Sequence, residues 1–435
     1  MAFLKSRWPL KAALCGLLPL LLPPNAMAAG DVLDMQQAVQ RTIQTHPAVG
    51  TTMARFQQSH QEITGAKAGY LPRFSTGFDT TYRDSTGRTE EVLSVQGTQL
   101  LYDFGKVASR VRMAESSEEV AHAQALLVVD ELAREAAYTL LEVQRYQQLV
   151  EIAEARSRGI ASLWELSRRR SSMGASARSD EMQAKSRHQA AVASEAQIKS
   201  ELKSWQSNLK HLTGLEHLPK VSNNIPERLN EACSVAGQDF SQVPELRVAE
   251  AQIKEAQAML EGSKASYYPT INVEARAERF LHDNNRRNRD RDDYTVGINA
   301  SMDLYQGGAT KARASGAAFA LEAARGEREE ALLRLTRSLQ EAQAQASSYN
   351  VRLSTLAEQI RNVTEAQHLY RQQYISLGTR SLLDLLNTEQ EIYQTQMELV
   401  NTQQDLGRLQ VGCSYDTAQL RTLFAISTEF LAKDE

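Results

Sequence analysis

The chain has 435 residues, 49 basic and 53 acidic side chains and a formal net charge of −4, a balance that argues against a nucleic-acid partner, which requires a concentrated basic surface. Three cysteines are too few for a disulfide scaffold, and the eight histidines are scattered, with His211 and His217 sharing no helix face. No Gly-rich phosphate loop and no nucleophile with a neighbouring base is recognisable, so the sequence points to no enzyme, no metal site and no cofactor.

Residues 1–28 read as a signal peptide. Lys5, Arg7 and Lys11 form its basic region, Ala12 to Leu22 its apolar run, and Ala26-Met27-Ala28 its small-x-small cleavage site. Cys15 lacks a lipobox. Removing the leader's three cations takes the formal charge from −4 to −7. No later segment is apolar enough for a transmembrane helix, so entry into a membrane requires strands.

Two units are expected, 29–242 and 243–435. The first holds a helix, a strand pair at 73–83 and 91–103, a long helical hairpin turning near Gly174, and a mixed connector at 214–242. The second repeats the order, with strands at 270–281 and 293–305, a hairpin turning near Gly378, and a C-terminal segment. The repeat shows in His46-Pro47 against Val243-Pro244, in Tyr70-Leu71-Pro72 against Tyr267-Tyr268-Pro269, and in "LLYDFGK" (100–106) against "DLYQGGA" (303–309). In both units an aspartate follows the turn glycine, Asp180 and Asp384.

The strands alternate. Phe74, Phe78 and Tyr82 oppose Arg73, Ser75, Asp79 and Arg83. Leu93, Val95 and Leu101 oppose Ser94, Gln96 and Thr98, with Gln99 out of pattern. Ile271 and Val273 oppose Asn272 and Glu274, and Tyr294, Val296 and Ile298 oppose Thr295, Gly297 and Asn299. Strands of about ten residues suit a tilted membrane barrel. A soluble sandwich with one wet face would share the alternation. The charged polar face, and aromatics bracketing both ends (Tyr70, Tyr102, Tyr267, Tyr268 and Tyr305; Tyr82, Phe280 and Tyr294), favour the bilayer. Four strands cannot close a barrel, and open edges cannot sit in lipid, so the chain must assemble; two copies would give eight strands and three would give twelve. The loops at 84–90 and 282–293 are polar and read as solvated hairpin loops, extracellular if the strands cross the bilayer.

No proline falls between Arg73 and Leu218 or after Pro269, which leaves room for very long helices. Leu126, Val129, Ala133, Ala136, Leu140 and Val143 form a 3,4-spaced seam. A second runs from Leu332 through Leu335, Leu339, Leu356 and Tyr370 to Leu377, interrupted by polar Gln367 alone.

The doubled units, the Tyr-x-Pro strand entries, "LYDFGK", "LYQGGA" and "LGTRSLLDLLNTEQ" together resemble the TolC family of outer-membrane export channels. The resemblance implies a mixed α and β fold: mostly a long α-helical coiled-coil tunnel, plus four membrane β-strands per chain that complete a 12-stranded barrel as a homotrimer. It implies contact with outer-membrane lipid, a periplasmic adaptor and, through that adaptor, an inner-membrane ABC transporter. "LGTRSLLDLLNTEQE" is most similar to the type I protein-secretion branch. Gly174 and Gly378 would then be hairpin turns at the periplasmic tips, with Thr379 or Ser381 capping the following helix. By position, Asp384 and Arg380 map to the family's entrance gate, and Asn387 stands where a second family aspartate is expected, which lowers the charge of the ring. Ser381-x-x-Asp384 is also capping-box spacing, so Asp384 needs no gate to be favourable; Asp180 repeats the spacing. Arg168, Arg169, Arg170 and Asp180 lie where an adaptor would dock, although an arginine run is commonly just solvated. The family also gathers the regions of Cys233 and Cys413 around the middle of the tunnel, in an oxidising compartment, which leaves a disulfide between them open. Two other readings remain: a drug-efflux outer-membrane component, and a periplasmic coiled-coil adaptor or scaffold.

Overall fold

A computed structural model describes residues 32–84, 88–230, 232–233, 240–281 and 291–428. The expected leader, and nearly all of the 282–293 loop, lie outside the described residues. The elements in order are α1 (Met35–Thr45), α2 (Pro47–Lys67), β1 (Arg73–Arg83), β2 (Arg88–Tyr102), α3 (Lys106–Ser172), α4 (Arg178–Thr213), α5 (Pro244–Ala265), β3 (Thr270–Phe280), β4 (Asp292–Ser301), α6 (Ala309–Gln372), α7 (Leu382–Asp416) and the short α8 (Leu420–Leu423). The fold is mixed α and β, with long helices predominating. At 67 residues and a rise of about 1.5 Å per residue, α3 is roughly 100 Å long. Among the described residues no helix is long and apolar enough to cross a membrane.

The four strands form one antiparallel sheet in the order β1-β2-β3-β4. The register fixes its faces. Phe74, Gly97, Ala275 and Val296 stand in one row; Thr76, Val95, Ala277 and Tyr294 stand in the next on the same side. The opposite side carries Arg73, Thr98 and Glu274, then Ser75, Gln96, Arg276 and Thr295. An apolar face is thus set against a charged one. On β4, Tyr294, Val296 and Ile298 are 76, 77 and 73 % exposed, far more than a soluble sheet would leave in water. Phe74 lies against Gly97 across the strand pair, 3.0 Å from where a Cβ would be, and so covers the gap that a glycine leaves.

The strand ends differ from those expected. β2 begins at Arg88 rather than 91, and β4 stops at Ser301 rather than 305. Thr270, the first residue of β3, pairs with Ser301, so nothing remains for residues 302–305 to bond to. Gln99, out of pattern in sequence, sits beside a register shift near Leu100 and donates to the carbonyls of Tyr70 (2.9 Å) and Leu100 (2.8 Å). At the strand exits Phe104 and Gly105 adopt left-handed φ of 56° and 91°, as Gly307 and Gly308 do at 61° and 87°. A phenylalanine there is strained. Its ring stacks on Tyr268 (5.1 Å) and edges Tyr102 (4.7 Å), contacts that offset the cost.

Below the sheet, α2 and α5 pack on the first half of α3, and α5 also on α6. Further along, α4 packs on α3, α6 on α7, and α3 on α7. All six residues of the first seam are buried. In the second, Leu335, Leu339 and Leu356 are buried and Leu377 is exposed. The largest core lies midway, where α1 and α8 clasp α3 through Met35, Val39, Leu140, Leu420 and Phe424. Beside it, Cys233 and Cys413 are joined in a disulfide with Cα atoms 5.3 Å apart.

Within this belt Asp130 of α3 is 1 % exposed. Arg421 Nε lies 3.1 Å from its Oδ1 but off the line a hydrogen bond needs, so neither carboxylate oxygen is hydrogen-bonded. Burial pushes Asp130 up to about 6, against the pull of Arg421. A carboxyl raised on folding binds its proton more tightly in the folded state, so its contribution to stability falls as pH rises from about 4 to about 6. Asp130→Asn abolishes that slope. The melting temperature of the variant, relative to the parent, is expected to rise across this window by the equivalent of about 2 kcal/mol. A constant difference from pH 4 to 7 would show that Asp130 does not titrate there.

Candidate functional site

The far end of the helices, about 100 Å from the sheet by the length of α3, gathers most of the residues singled out in sequence. The α3–α4 turn is built on Gly174, with φ of +73°. Gly174 N–H donates to the Ser171 carbonyl (3.0 Å) and Ala175 N–H to the Arg170 carbonyl (2.8 Å), a closure that needs a left-handed residue. The α6–α7 turn is different. α6 passes into a π-helical turn, Gln373–Leu377, before Gly378 at φ +65°. This wider turn puts Tyr374 inside (5 % exposed) and leaves Ile375 and Leu377 outside.

Ser381 caps α7. Its hydroxyl accepts from Asp384 N–H (3.2 Å), and Asp384 Oδ2 accepts from Ser381 N–H (3.1 Å) and from the Ser381 hydroxyl (3.0 Å). These donors, with Arg380 adding less, hold the Asp384 carboxyl below the usual carboxylate range. Arg380 lies over the Tyr370 ring (4.2 Å) and donates through Nε to Gln373 (3.2 Å). It therefore clamps the start of α7 to the last turns of α6; no ion pair joins it to Asp384. Asn387 is exposed one turn further along α7.

Asp180 does not share the cap chemistry that its spacing implied. The N-cap of α4 is Ala177, which offers no side-chain acceptor, so Asp180 gains only the helix-dipole benefit. The arginine run divides. Arg168 is exposed and pairs with Glu165 (2.9 Å), Arg169 is exposed, and Arg170 folds inward over the Tyr374 ring (4.8 Å). Ile160, Leu163, Ala184, Leu382, Leu385 and Leu386 close the tip core around Tyr374.

One tip residue escaped the sequence reading. Glu389 sits against Gly159, whose missing side chain makes room for the carboxylate: a Cβ there would lie 3.0 Å from Oε1. Gln367 donates to Glu389 (2.6 Å), and burial pushes the Glu389 carboxyl above the usual carboxylate range, against the opposing pull of Arg371, Gln367 and Arg156. The lone polar residue in the α6 seam was the available signal. Among the described residues no group of His, Cys, Asp and Glu is placed to hold a metal ion.

The model of one protein family, described as outer membrane efflux protein, matches residues 38–215 and 238–411. The chain belongs to that family. The TolC outer-membrane protein of Salmonella enteritidis is 22 % identical over 403 residues, covering 84 % of this chain and 78 % of the relative. The alkaline protease secretion protein AprF of Pseudomonas aeruginosa is 23 % identical over 261 residues, 58 % of this chain and 54 % of the relative. Among solved structures, the outer membrane protein VceC of Vibrio cholerae shares the fold, with a TM-score of 0.77 at 16 % identity, over 88 % of this chain and 95 % of that one. As a member of the outer membrane efflux protein family, this chain is a passive outer-membrane channel protein of a Gram-negative bacterium, not an enzyme. Its sheet belongs to the membrane and its long helices to the periplasm.

Proposed function

We propose that this chain forms the exit duct of a type I protein-secretion system, as a homotrimer whose three sheets close a 12-stranded barrel. The observation that carries assembly is the sheet itself. β1 and β4 each pair on one side only, and both carry exposed apolar residues that belong in lipid, where an unpaired strand edge is not tolerated. β4 of one copy would pair with β1 of the next around a ring. Phe319, Leu333 and Val351, exposed along α6, would be covered by neighbouring helices. Mass measurement of the detergent-solubilised protein should give three chains; a monomer that inserts stably into bilayers would overturn the reading.

Two halves with the same element order are read as one duplicated unit. The type I assignment rests on "LGTRSLLDLLNTEQE" and on the similarity to a protease-secretion protein. Energy would come from an ABC transporter through a periplasmic adaptor, for which the exposed Arg168 and Arg169, with Asp180, are the proposed contacts; Arg170 is occupied by Tyr374. The family's description as efflux proteins favours a second reading, a drug-efflux component. Loss of one secreted polypeptide from the medium in a deletion strain supports the first; unchanged secretion with raised drug sensitivity supports the second.

At the tips, Gly174 and Gly378 are proposed as the turns of a periplasmic entrance, and three copies of Asp384, with Asn387 beside them, as its ring. Arg380 is the tether, because it holds α7 to the π turn of α6. Arg380→Ser is expected to raise single-channel conductance in planar bilayers. Asp384→Asn is expected to lower cation selectivity, less so as salt is raised. Asp180→Asn, which removes equal charge without touching a capping box, should change selectivity little. If Asp384→Asn lowers only the melting temperature, the carboxylate is a cap and nothing more.

A further inference from the structure

Both long helices break a local electrostatic rule where they leave the sheet. The N-terminus of a helix favours carboxylates and disfavours cations. Yet α3 opens with Lys106, Arg110 and Arg112 before its first acid, Glu115, and α6 opens with Lys311 and Arg313 before Glu322. Arg112 is accounted for by Glu261 at 2.6 Å. Lys106 Nζ is held by the Tyr268 carbonyl (2.8 Å) and the Thr270 hydroxyl (2.7 Å), two neutral acceptors that leave its charge uncompensated.

The cations converge. A cavity of about 460 Å³ lies between the charged face of the sheet and the start of α3, and Arg73, Lys106 and Arg110 all line it. Gln96 and Asn272, on the same face of the sheet, add amide donors to its wall. Its one carboxylate, Asp103, is spent: it is 7 % exposed and accepts from Gly105 N–H (2.9 Å) and Val107 N–H (2.6 Å). The capped helix end is therefore not what attracts an anion; the side chains are. Glu274 shares a row with Arg73 but lies two strands away, roughly 10 Å, and does not line the cavity. Among the described residues neither Arg73 nor Arg110 has an ion-pair partner. Arg73 and Arg110 are exposed and Lys106 half-buried, so water reaches them. Even so, three like charges in one cavity, with their carboxylate already used, make a positive locus that favours an anion from outside the chain.

The geometry points to an oxyanion-binding site at the junction of barrel and tunnel, in which Arg73 and Arg110, flanked by Lys106, hold a carboxylate or phosphate group of a molecule in transit. Guanidinium groups suit this role because their donors match the two oxygens of such groups. The site opens onto the duct because it lies under the charged face of the sheet, so the inference rests on the barrel reading above; in the trimer it recurs three times at one level. It sits at the opposite end of the helices from Asp384, so the duct would meet anionic cargo with attraction after a carboxylate ring at its entrance.

The test titrates inorganic pyrophosphate into the full chain by calorimetry in a phosphate-free maltoside detergent, with the mass of the same sample confirming the trimer. Failure of the barrel reading then shows as a wrong mass, and failure of the site as absent binding by a correct trimer. Saturable binding is expected. The double variant Arg73→Gln, Arg110→Gln is expected to weaken it by about tenfold or more, and Arg110→Gln alone by less, while Arg112→Gln leaves it unchanged. Absence of saturable binding by the parent trimer, or equal binding by the double variant, overturns the proposal. Nanodiscs separate the lipid source. Equal pyrophosphate affinity in phosphatidylcholine and in phosphatidylglycerol discs is expected of a site inside the duct. Displacement by phosphatidylglycerol would mean that the cations serve lipid headgroups, and would overturn it as well.

Discussion

Val296→Arg is expected to leave almost no assembled protein in the outer membrane, whereas Asn299→Arg, three residues along the same strand, is expected to assemble. Val296 is central in β4, on the apolar face, and 77 % exposed in the single chain. A cation on the lipid side near the bilayer midplane costs about 2–4 kcal/mol per copy, and the proposed trimer would incur it three times. That is comparable with the whole stability of many domains. Asn299 pairs with Asn272 on the charged face, where a cation remains hydrated. Outer-membrane fractionation with heat-modifiable gel mobility reads both. Equal loss for the two variants would mean that the strand does not separate lipid from water, and equal tolerance would place the sheet outside the bilayer.

The second large effect is expected from the disulfide. Cys233 and Cys413 are 180 residues apart in sequence, so their bond removes much of the freedom of the unfolded chain. The chain-entropy model puts that at about 5 kcal/mol, an upper figure because native strain and residual structure reduce it. Both sulfurs are buried among Leu339, Ala342 and Ala232, so a double alanine variant changes packing little by comparison. Its melting temperature in detergent is expected to fall well below the parent's, and adding reductant should bring the unfolded parent to the mobility of the variant on a denaturing gel. Two titratable thiols in unreduced, denatured, exported protein would show that the bond does not form.

The strands and long helices were legible because their signals are local. A period of two, a 3,4 seam and the absence of proline each survive without knowledge of the partner. Strand ends were not, because they depend on register. β4 stops at Ser301 only because β3 begins opposite it, at Thr270. At the tip, Ser381 and Asp384 could be read from spacing, since a capping box is made within four residues. The same spacing misled at Asp180, where Ala177 supplies no hydroxyl. The environments of Arg170 and Glu389 could not be read in the same way, Gln367 in the α6 seam being the one hint of a polar partner for Glu389. Those environments come from Tyr374 and Gly159, each on the other hairpin and more than two hundred residues away in sequence.

The pairing of β2 with β3 also bears on how the protein is made. Each strand pair is local, but the seam joining them matches Val95 with Ala277, across the whole of α3, α4 and α5. A chain exported from its N-terminus presents β1 and β2 with a sticky apolar face long before β3 arrives. Contacts this distant in sequence form slowly, and the waiting intermediate is prone to aggregate. The helices, whose bonds are local, can form during that interval and bring the two strand pairs to one end. Biogenesis would then be ordered from the periplasm outward: the α-helical bundle first, the sheet second, and the membrane last.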